Sequence, residues 1–303
     1  MISTEHAFYK FFENIYQARW PALFASLQKR ERQVARKNLL SPISSEEELK
    51  ARKWSAFTQE SDLANCFWLP ENTSVQPERN ADELLDVYIM DPGSVAVAKA
   101  MEVQSGDRVL DMCAAPGGKS LILIESLAED GEIFCNDLSP ERRERLKKVI
   151  QQYVPRNIRD RVWVTGKDGV QFGLKEAGTF DRVLLDAPCS GERHILENQA
   201  AQDEWSPRRT EHLATRQYSL LSAALLAVKP GGRVVYSTCS ISPVENDGVI
   251  RKLLKKKKEQ VRLLEAPLGI GGERTEFGIA FMPDQCGFGP LYFAVLEKAP
   301  EGE

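Results

Sequence analysis

The sequence predicts an α/β fold: a doubly wound, mostly parallel sheet preceded by a small helical appendage. Three observations predict it. From about residue 84, apolar β-rich runs alternate with helical stretches, the pattern of a sheet covered on both faces. A glycine-rich turn, Asp111 to Ser120, follows directly on one of those runs. Two cysteines, Cys189 and Cys239, end two further runs and stand 50 residues apart. The carboxyl edge of such a sheet, where all three features would emerge, is where open α/β folds bind ligands.

The elements follow in order. Ala7 to Tyr16 is apolar at helical spacing, and Trp20-Pro21 interrupts it. Ala22 to Asn38 reads as a second helix, amphipathic and basic. Ser41-Pro42 punctuates, Ser44 to Glu48 resembles a helix start, and Glu71 to Asn80 is a polar linker containing Pro77. Residues 1–83 therefore form a helical accessory region and 84–303 the α/β domain. Within the latter, a helix over Asp91 to Met101 leads into a strand over Arg108 to Met112 and a helix over Lys119 to Ala128. Glu132 to Asn136 is the next strand. Ser139-Pro140-Glu141 then starts a helix, with a capping hydroxyl, a proline preset for the first turn and an early acid. Val162 to Thr165 and Phe180 to Asp186 are strands. Thr210 to Val228 is a long helix ended by Lys229-Pro230-Gly231-Gly232. Arg233 to Ser237 is a strand, Pro243 to Lys258 a helix, and Val261 to Leu264 and Leu291 to Glu297 are late strands.

Composition bounds the function. The chain has 303 residues, enough for one large α/β domain with an appendage. Its 42% hydrophobic content is that of an ordinary globular chain. No run approaches the ~18 apolar residues of a membrane span, and Met1 to His6 has no secretory pattern. Neither a membrane nor a metal is expected. The six cysteines contain no C-x-x-C pair, so free thiols in a reducing cytoplasm are expected. A net charge of −4 excludes a general basic coat for nucleic acid. Charge is uneven, however. Lys29, Arg30, Arg32, Arg36 and Lys37 cluster around the single acid Glu31, and Arg251, Lys252 and Lys255 to Lys258 form a second cluster. Each is either a phosphate-facing patch or a solvated face.

The turn after the first strand of the α/β domain reads Asp111-Met112-Cys113-Ala114-Ala115-Pro116-Gly117-Gly118-Lys119-Ser120. Glycines there let a ligand approach the backbone, and a helix N-terminus favours negative groups. A phosphate loop would need glycine where Cys113 stands, and G-x-G-x-x-G is absent. Asp137 closes the second strand, 26 residues beyond Asp111, where acids bind ribose hydroxyls. Asp168 follows the third strand and could meet an adenine amino group. The combination fits S-adenosylmethionine better than a nucleoside triphosphate.

Three long segments, D-M-C-A-A-P-G-G-K-S, L-L-D-A-P-C-S-G and Y-S-T-C-S-x-x-P-x-E-N, resemble the signatures of the Sun/Fmu family of RNA cytosine-5 methyltransferases. The resemblance covers roughly residues 86 to 298. It implies a Rossmann-like class I methyltransferase sheet of seven strands, the last antiparallel, with S-adenosylmethionine as methyl donor. It also implies the site. Cys239 is the nucleophile that attacks C6 of cytosine, making C5 reactive toward the sulfonium methyl. Cys189 assists proton removal and product release, Asp186 contacts the target base, and Lys119 stands beside Asp186. Cys113, Ala114, Ala115, Pro116, Gly117, Gly118, Lys119, Asp137, Arg142, Asp168, Gly169, Asp186 and Pro188 are the implied cofactor residues. Tyr88 to Ser94 resembles a family segment that packs beside the cofactor.

After Cys189 the chain reads Ser190-Gly191-Glu192-Arg193-His194, and its late segment reads Phe288-Gly289-Pro290-Leu291-Tyr292-Phe293. Both are similar to the branch that includes mitochondrial ribosomal- and transfer-RNA enzymes. The implied partner is RNA, ribosomal ahead of transfer RNA, with the chain a monomer and a protein partner admitted for RNA affinity. The implied location is the cytoplasm, or the mitochondrial matrix in a eukaryote. A non-catalytic RNA-binding assembly factor on the same scaffold is the alternative from another class. Retention of both cysteines, Asp186 and the cofactor turn disfavours it.

Overall fold

The computed structural model describes residues 6–41, 63, 65–69, 76–80, 82–127 and 130–300. The helix start expected at Ser44 to Glu48 and the first half of the expected linker lie outside them. Two helices open the described chain, α1 (Ala7–Tyr16) and α2 (Trp20–Leu27). Pro21 sits in the first turn of α2, where an N–H has no helical acceptor to lose. The helix expected through Asn38 ends at Leu27. In its place β1 (Val34–Lys37) pairs antiparallel with β2 (Cys66–Trp68) and β3 (Val87–Met90) in a small sheet.

All four residues of β1 are buried, so its charges face partners rather than solvent. Arg36 reaches across to Glu125, with Nη1 2.9 Å from Oε1 and Nη2 on Oε2. Tertiary pairing has overridden the helical spacing of these charges. The boundary expected at 83/84 falls inside this sheet, because β3 lies beyond it and pairs with β1.

The main sheet then forms from α3 (Pro92–Lys99), β4 (Arg108–Asp111), α4 (Gly118–Ser126), β5 (Glu132–Asn136), α5 (Pro140–Tyr153) and α6 (Arg156–Arg159). It continues with β6 (Val162–Thr165), α7 (Val170–Lys175), β7 (Phe180–Asp186), α8 (Glu192–Glu197), α9 (Gln199–Asp203) and α10 (Pro207–Ala227). β8 (Val228–Thr238), α11 (Asp247–Lys256), β9 (Val261–Leu264), β10 (Gly272–Arg274), β11 (Ile279–Phe281), α12 (Pro283–Cys286) and β12 (Leu291–Lys298) complete it. The strand order is β10-β11-β12-β8-β7-β4-β5-β6, with β9 also on β12. β8, β7, β4, β5 and β6 are parallel, and β12 lies antiparallel to β8. This is the Rossmann-like methyltransferase sheet that the motifs implied.

The β10–β11 hairpin is an addition that the sequence pattern did not show. It covers Leu291–Phe293 on the outer edge of β12, and β9 covers Val295–Lys298. Strands of three residues are too short to display a period.

Helices on both faces explain the continuous apolar runs of the parallel strands. Val183, Leu184 and Leu185 of β7 are fully buried, as are Val234, Val235 and Tyr236 of β8. α10 lays Leu220, Leu221, Ala224 and Leu225 on one face. α4 lays Leu121 to Ile124 on the other side. The N-terminal helices pack Phe8, Phe12 and Trp20 around Trp205 and Ile241, with the Phe8 and Trp205 rings 5.2 Å apart.

The Arg36–Glu125 pair is buried on both sides, so removing one partner leaves a charge stranded. Arg36→Ala should destabilise the protein by about 3–5 kcal/mol, read as a lower denaturant midpoint at unchanged slope. A loss under about 1 kcal/mol would mean that the pair behaves as a solvated one.

Candidate active site

β7 and β8 run parallel with Asp186 opposite Ser237, and the Ala187 N–H donates to the Ser237 carbonyl at 2.8 Å. The two chains then leave the sheet side by side. Cys189 Sγ and Cys239 Sγ stand 2.8 Å apart, and the Cys239 N–H donates to Cys189 Sγ at 3.2 Å. Both are free thiols. Cys239 is exposed and Cys189 half-buried. The hydrogen bond with Cys239, and burial after it, hold the Cys189 thiol well above its ordinary value. Cys189 therefore keeps its proton, and Cys239 presents the accessible sulfur.

Asp186 stands at the end of β7 between two donors. Lys119 Nζ lies 2.7 Å from Oδ2, and Ser237 Oγ donates to Oδ1 at 2.6 Å. Burial works against the Lys119 ammonium, but the charge and hydrogen bond of Asp186 outweigh it and hold the amine above its ordinary value. The acid and the lysine thus form an ion pair beside the two thiols.

A cavity of about 480 Å³ opens over this group and is lined by Asp91, Lys119, Asp186, Cys189, His194 and Cys239, among others. A second cavity of about 210 Å³ shares Asp91, Ser94, Lys119 and Asp186 with it. Tyr88, Asp111, Gly118 and the turn from Cys113 to Pro116 complete the smaller one. Two ligands placed in the two cavities would meet at the shared wall.

The turn that forms the smaller cavity needs its glycines. Gly117 has φ +120°, and a Cβ on Gly118 would lie 2.7 Å from Cε1 of Tyr88. Arg142 ties the turn to the next strand end, with Nη2 donating to the Ala115 carbonyl at 2.5 Å and standing 3.3 Å from Asp137 Oδ2. Asp137 Oδ1 accepts the Ser139 N–H at 3.0 Å, while Oδ2 is buried without a hydrogen bond. The ion pair with Arg142 compensates the charge of Oδ2 but leaves it short of a hydrogen bond, which a sugar hydroxyl would supply. Asp111 adds a second such atom. Ser120 Oγ donates to its Oδ2 at 2.7 Å, Oδ1 has no hydrogen bond, and burial pushes the carboxyl up to about 7. An ammonium group in the smaller cavity would pair with it. These residues fit S-adenosylmethionine, which carries both a ribose and an amine.

Of the remaining expected site residues, Asp168 and Gly169 stand outside the lining of both cavities, and Pro188 and Cys113 within it. Asp168 is turned to Arg216, with Nη2 2.5 Å from Oδ1. Burial opposes its ionisation, but the hydrogen bonds of Arg216 and the Val170 N–H hold its carboxyl below the ordinary value. Gly169 is a packing position, where a Cβ would meet Leu220 at 2.7 Å. Pro188 is exposed on the larger cavity, and its carbonyl accepts from Gln217 Nε2 at 2.9 Å. Burial pushes the Cys113 thiol far up, so it lines the cofactor turn as a neutral group. The sequence marks Asp111 as one of the strand-end acids and places Asp91 within the Tyr88 to Ser94 segment, but singles out neither for a role of its own, and the buried Glu192 escapes the sequence reading. Asp91 caps α3 and accepts the Gly289 N–H at 2.7 Å. Its position just before a Pro-Gly helix start was the signal available.

Comparison with known proteins gives concordant results. A family model described as 16S rRNA methyltransferase RsmB/F matches residues 98–297. The 5-cytosine rRNA methyltransferase NSUN4 of Mus musculus is 35% identical over 306 residues, covering 93% of this chain and 79% of its own length. The mitochondrial tRNA (cytosine(34)-C(5))-methyltransferase of Danio rerio is 38% identical over 192 residues, 62% of this chain and 52% of its own length. The chain thus spans only part of the curated relatives it matches. The crystal structure of a methyltransferase homolog protein from Pyrococcus horikoshii superposes with a TM-score of 0.78 at 26% identity. That superposition covers 96% of this chain and 94% of that one.

If Asp137 holds the ribose, Asp137→Ala should weaken S-adenosylmethionine binding by ~1.5–3 kcal/mol, roughly 10- to 150-fold in Kd. Calorimetric titration of the folded variant measures this. Unchanged affinity would remove Asp137 from the cofactor site.

Proposed function

The chain belongs to the RsmB/F (Sun) family of RNA methyltransferases, and on that premise we propose that it methylates C5 of a cytosine in ribosomal RNA. The single observation that carries the chemistry is the pair of thiols at 2.8 Å beside the Lys119–Asp186 ion pair. S-adenosylmethionine, when bound, supplies an electrophilic methyl group. The chain's own residues do the rest.

The larger cavity takes the target base, which must leave any helix to reach it. Asp186 accepts hydrogen bonds from the amino group and from a protonated N3, with Lys119 holding its orientation and charge. Cys239 attacks C6, and the ring becomes nucleophilic at C5. After methylation the C5 proton passes to solvent at the open cavity, the C5–H electrons restore the C5–C6 double bond, and the electron pair of the Cys239–C6 bond returns to the Cys239 sulfur. The S–H of Cys189 stabilises the departing Cys239 sulfur through the same hydrogen bond that joins the two thiols now. The turn from Cys113 to Gly118 would hold the cofactor, with Asp137 available to its ribose and Asp111 to its amine.

The RNA backbone has candidate contacts at Lys29, Arg30 and Arg32 and at Lys255, Lys256 and Lys258, all exposed. Arg36 and Lys37 are withdrawn from the first cluster into β1. A transfer RNA substrate is the second reading, supported by the similarity to the zebrafish tRNA enzyme. That relative's mitochondrial description supports the mitochondrial matrix as the setting in a eukaryote, with the cytoplasm otherwise. No helix among the described residues is long and apolar enough to cross a membrane.

The two cysteines are separated by a denaturing gel after incubation with transcribed small-subunit rRNA and S-adenosylmethionine. Cys189→Ala should accumulate a slow band of protein joined to RNA, because release stalls. Cys239→Ala should give neither band nor methylated RNA. A band from Cys239→Ala alone would reverse the two roles, and methylation intact in both variants would refute a covalent route.

A further inference from the structure

Beneath the two cysteines lies a cluster of oxygens that the steps above leave unused. Glu192 opens α8 and Glu245 lies just before α11, and both are fully buried. Ser190 and Ser240 follow the two cysteines directly. Ser190 Oγ contacts Glu192 Oε1 and Glu245 Oε1 and lies 3.0 Å from Ser240 Oγ. Ser240 Oγ lies 3.0 Å from Glu192 Oε1 and 3.3 Å from Glu245 Oε1. The outer oxygens are held separately. Glu245 Oε2 accepts from the Ser190 N–H at 3.0 Å and from Gln217 Nε2 at 2.8 Å, and Glu192 Oε2 accepts from the Ile241 N–H at 3.0 Å.

The protons do not suffice if both acids are ionised. Two hydroxyls have to serve five oxygen–oxygen contacts among four oxygens. Among the described residues, none of the hydrogen bonds to either carboxylate comes from a lysine, arginine or histidine. One further proton on a carboxyl raises the donors from two to three and removes the repulsion of two buried like charges. Burial, and then the charge of Glu245, pushes Glu192 up to about 7, and burial raises Glu245 too. The other titratable groups facing the cluster are Cys189, Tyr236 of β8 and Tyr16 of α1. The hydrogen bond with Cys239 and burial hold Cys189 above its ordinary value, and burial does the same for both tyrosines, so all three stay neutral beside the cluster.

Resting on the function proposed above, we propose that Glu192 and Glu245 are positioning residues that share one proton, and that this proton sets the spacing of the Cys189 and Cys239 thiols. Each serine is covalently next to its cysteine. Losing the proton drives the carboxylates apart, takes Ser190 and Ser240 with them, and opens the gap between the sulfurs.

Glu192→Gln and Glu245→Gln test this, because each keeps the shape and stays neutral at every pH. The probe is diamide, which joins two adjacent thiols as a disulfide, and the Cys189–Cys239 linkage is quantified by peptide mass spectrometry. The rate ratio of each variant to the parent should be near one at about pH 6 and rise by about threefold or more by about pH 9.

Melting temperature gives an independent readout. The folded parent holds a proton that its unfolded chain releases. Its stability should therefore fall as pH rises from the ordinary 4.5 of a glutamate to about 7. Relative to Glu192→Gln, the parent should lose about 3–6 °C over that window. If one variant fails to fold, the other carries both readouts. A ratio that stays flat with pH, with parallel melting curves, overturns the proposal. The probe contains no RNA, so this failure is distinct from an absence of methyl transfer, which would count against the proposed function itself.

Discussion

The parallel register between β7 and β8 is the constraint on which the site depends. Neighbouring strands lie about 4.8 Å apart, so the pairing of Asp186 with Ser237 delivers the next residues of both chains to one place. Cys189 and Cys239 meet there as free thiols. A slip of one residue would turn every side chain of one strand to the opposite face. Val183, Leu184 and Leu185 on one strand and Val234, Val235 and Tyr236 on the other oppose it, because all six are fully buried and a slip would break their close packing on both faces. The chemistry at the sheet edge is thus secured by apolar packing in the sheet interior.

The segment before the sheet builds one wall of the same site. Arg193, four residues after Cys189, donates to the carbonyls of Leu27 at 3.0 Å, Lys29 at 2.5 Å and Gly289 at 2.9 Å. Glu31 lies 3.6 Å from its Nε and lines the larger cavity. Tyr16 of α1 donates to the carbonyl of Ile241 at 2.5 Å, just beyond Cys239. Both cysteine loops are therefore braced from the N-terminal side. The exposed Lys29 and Arg30 sit at the turn that Arg193 grips, next to the cavity mouth.

Much of the sheet was legible because its parallel strands read as short apolar, β-rich runs. Glu132–Asn136, Val162–Thr165 and Phe180–Asp186 coincide with the runs that marked them. The two cysteines were legible as strand ends, but their separate roles came from resemblance, since spacing alone cannot tell nucleophile from helper. Other features depend on partners distant in sequence. Arg36 looked like a surface charge until Glu125 faced it. Asp168 was read as an adenine contact, and its ion pair with Arg216, 48 residues on, was not legible. Glu192 and Glu245 carry charges that a sequence reads as exposed, and only the meeting of the two cysteine loops buries them.

The central claim is that strand register brings the two thiols together and that Cys239, the exposed one, is the sulfur that bonds to the base. Its most direct test uses RNA in which cytosine is replaced by 5-fluorocytosine, whose C5 fluorine cannot depart as a proton does. The parent protein should then remain joined to the methylated base. After digestion, mass spectrometry should find the nucleotide on the peptide that contains Cys239. Finding it on the peptide that contains Cys189 would contradict the account.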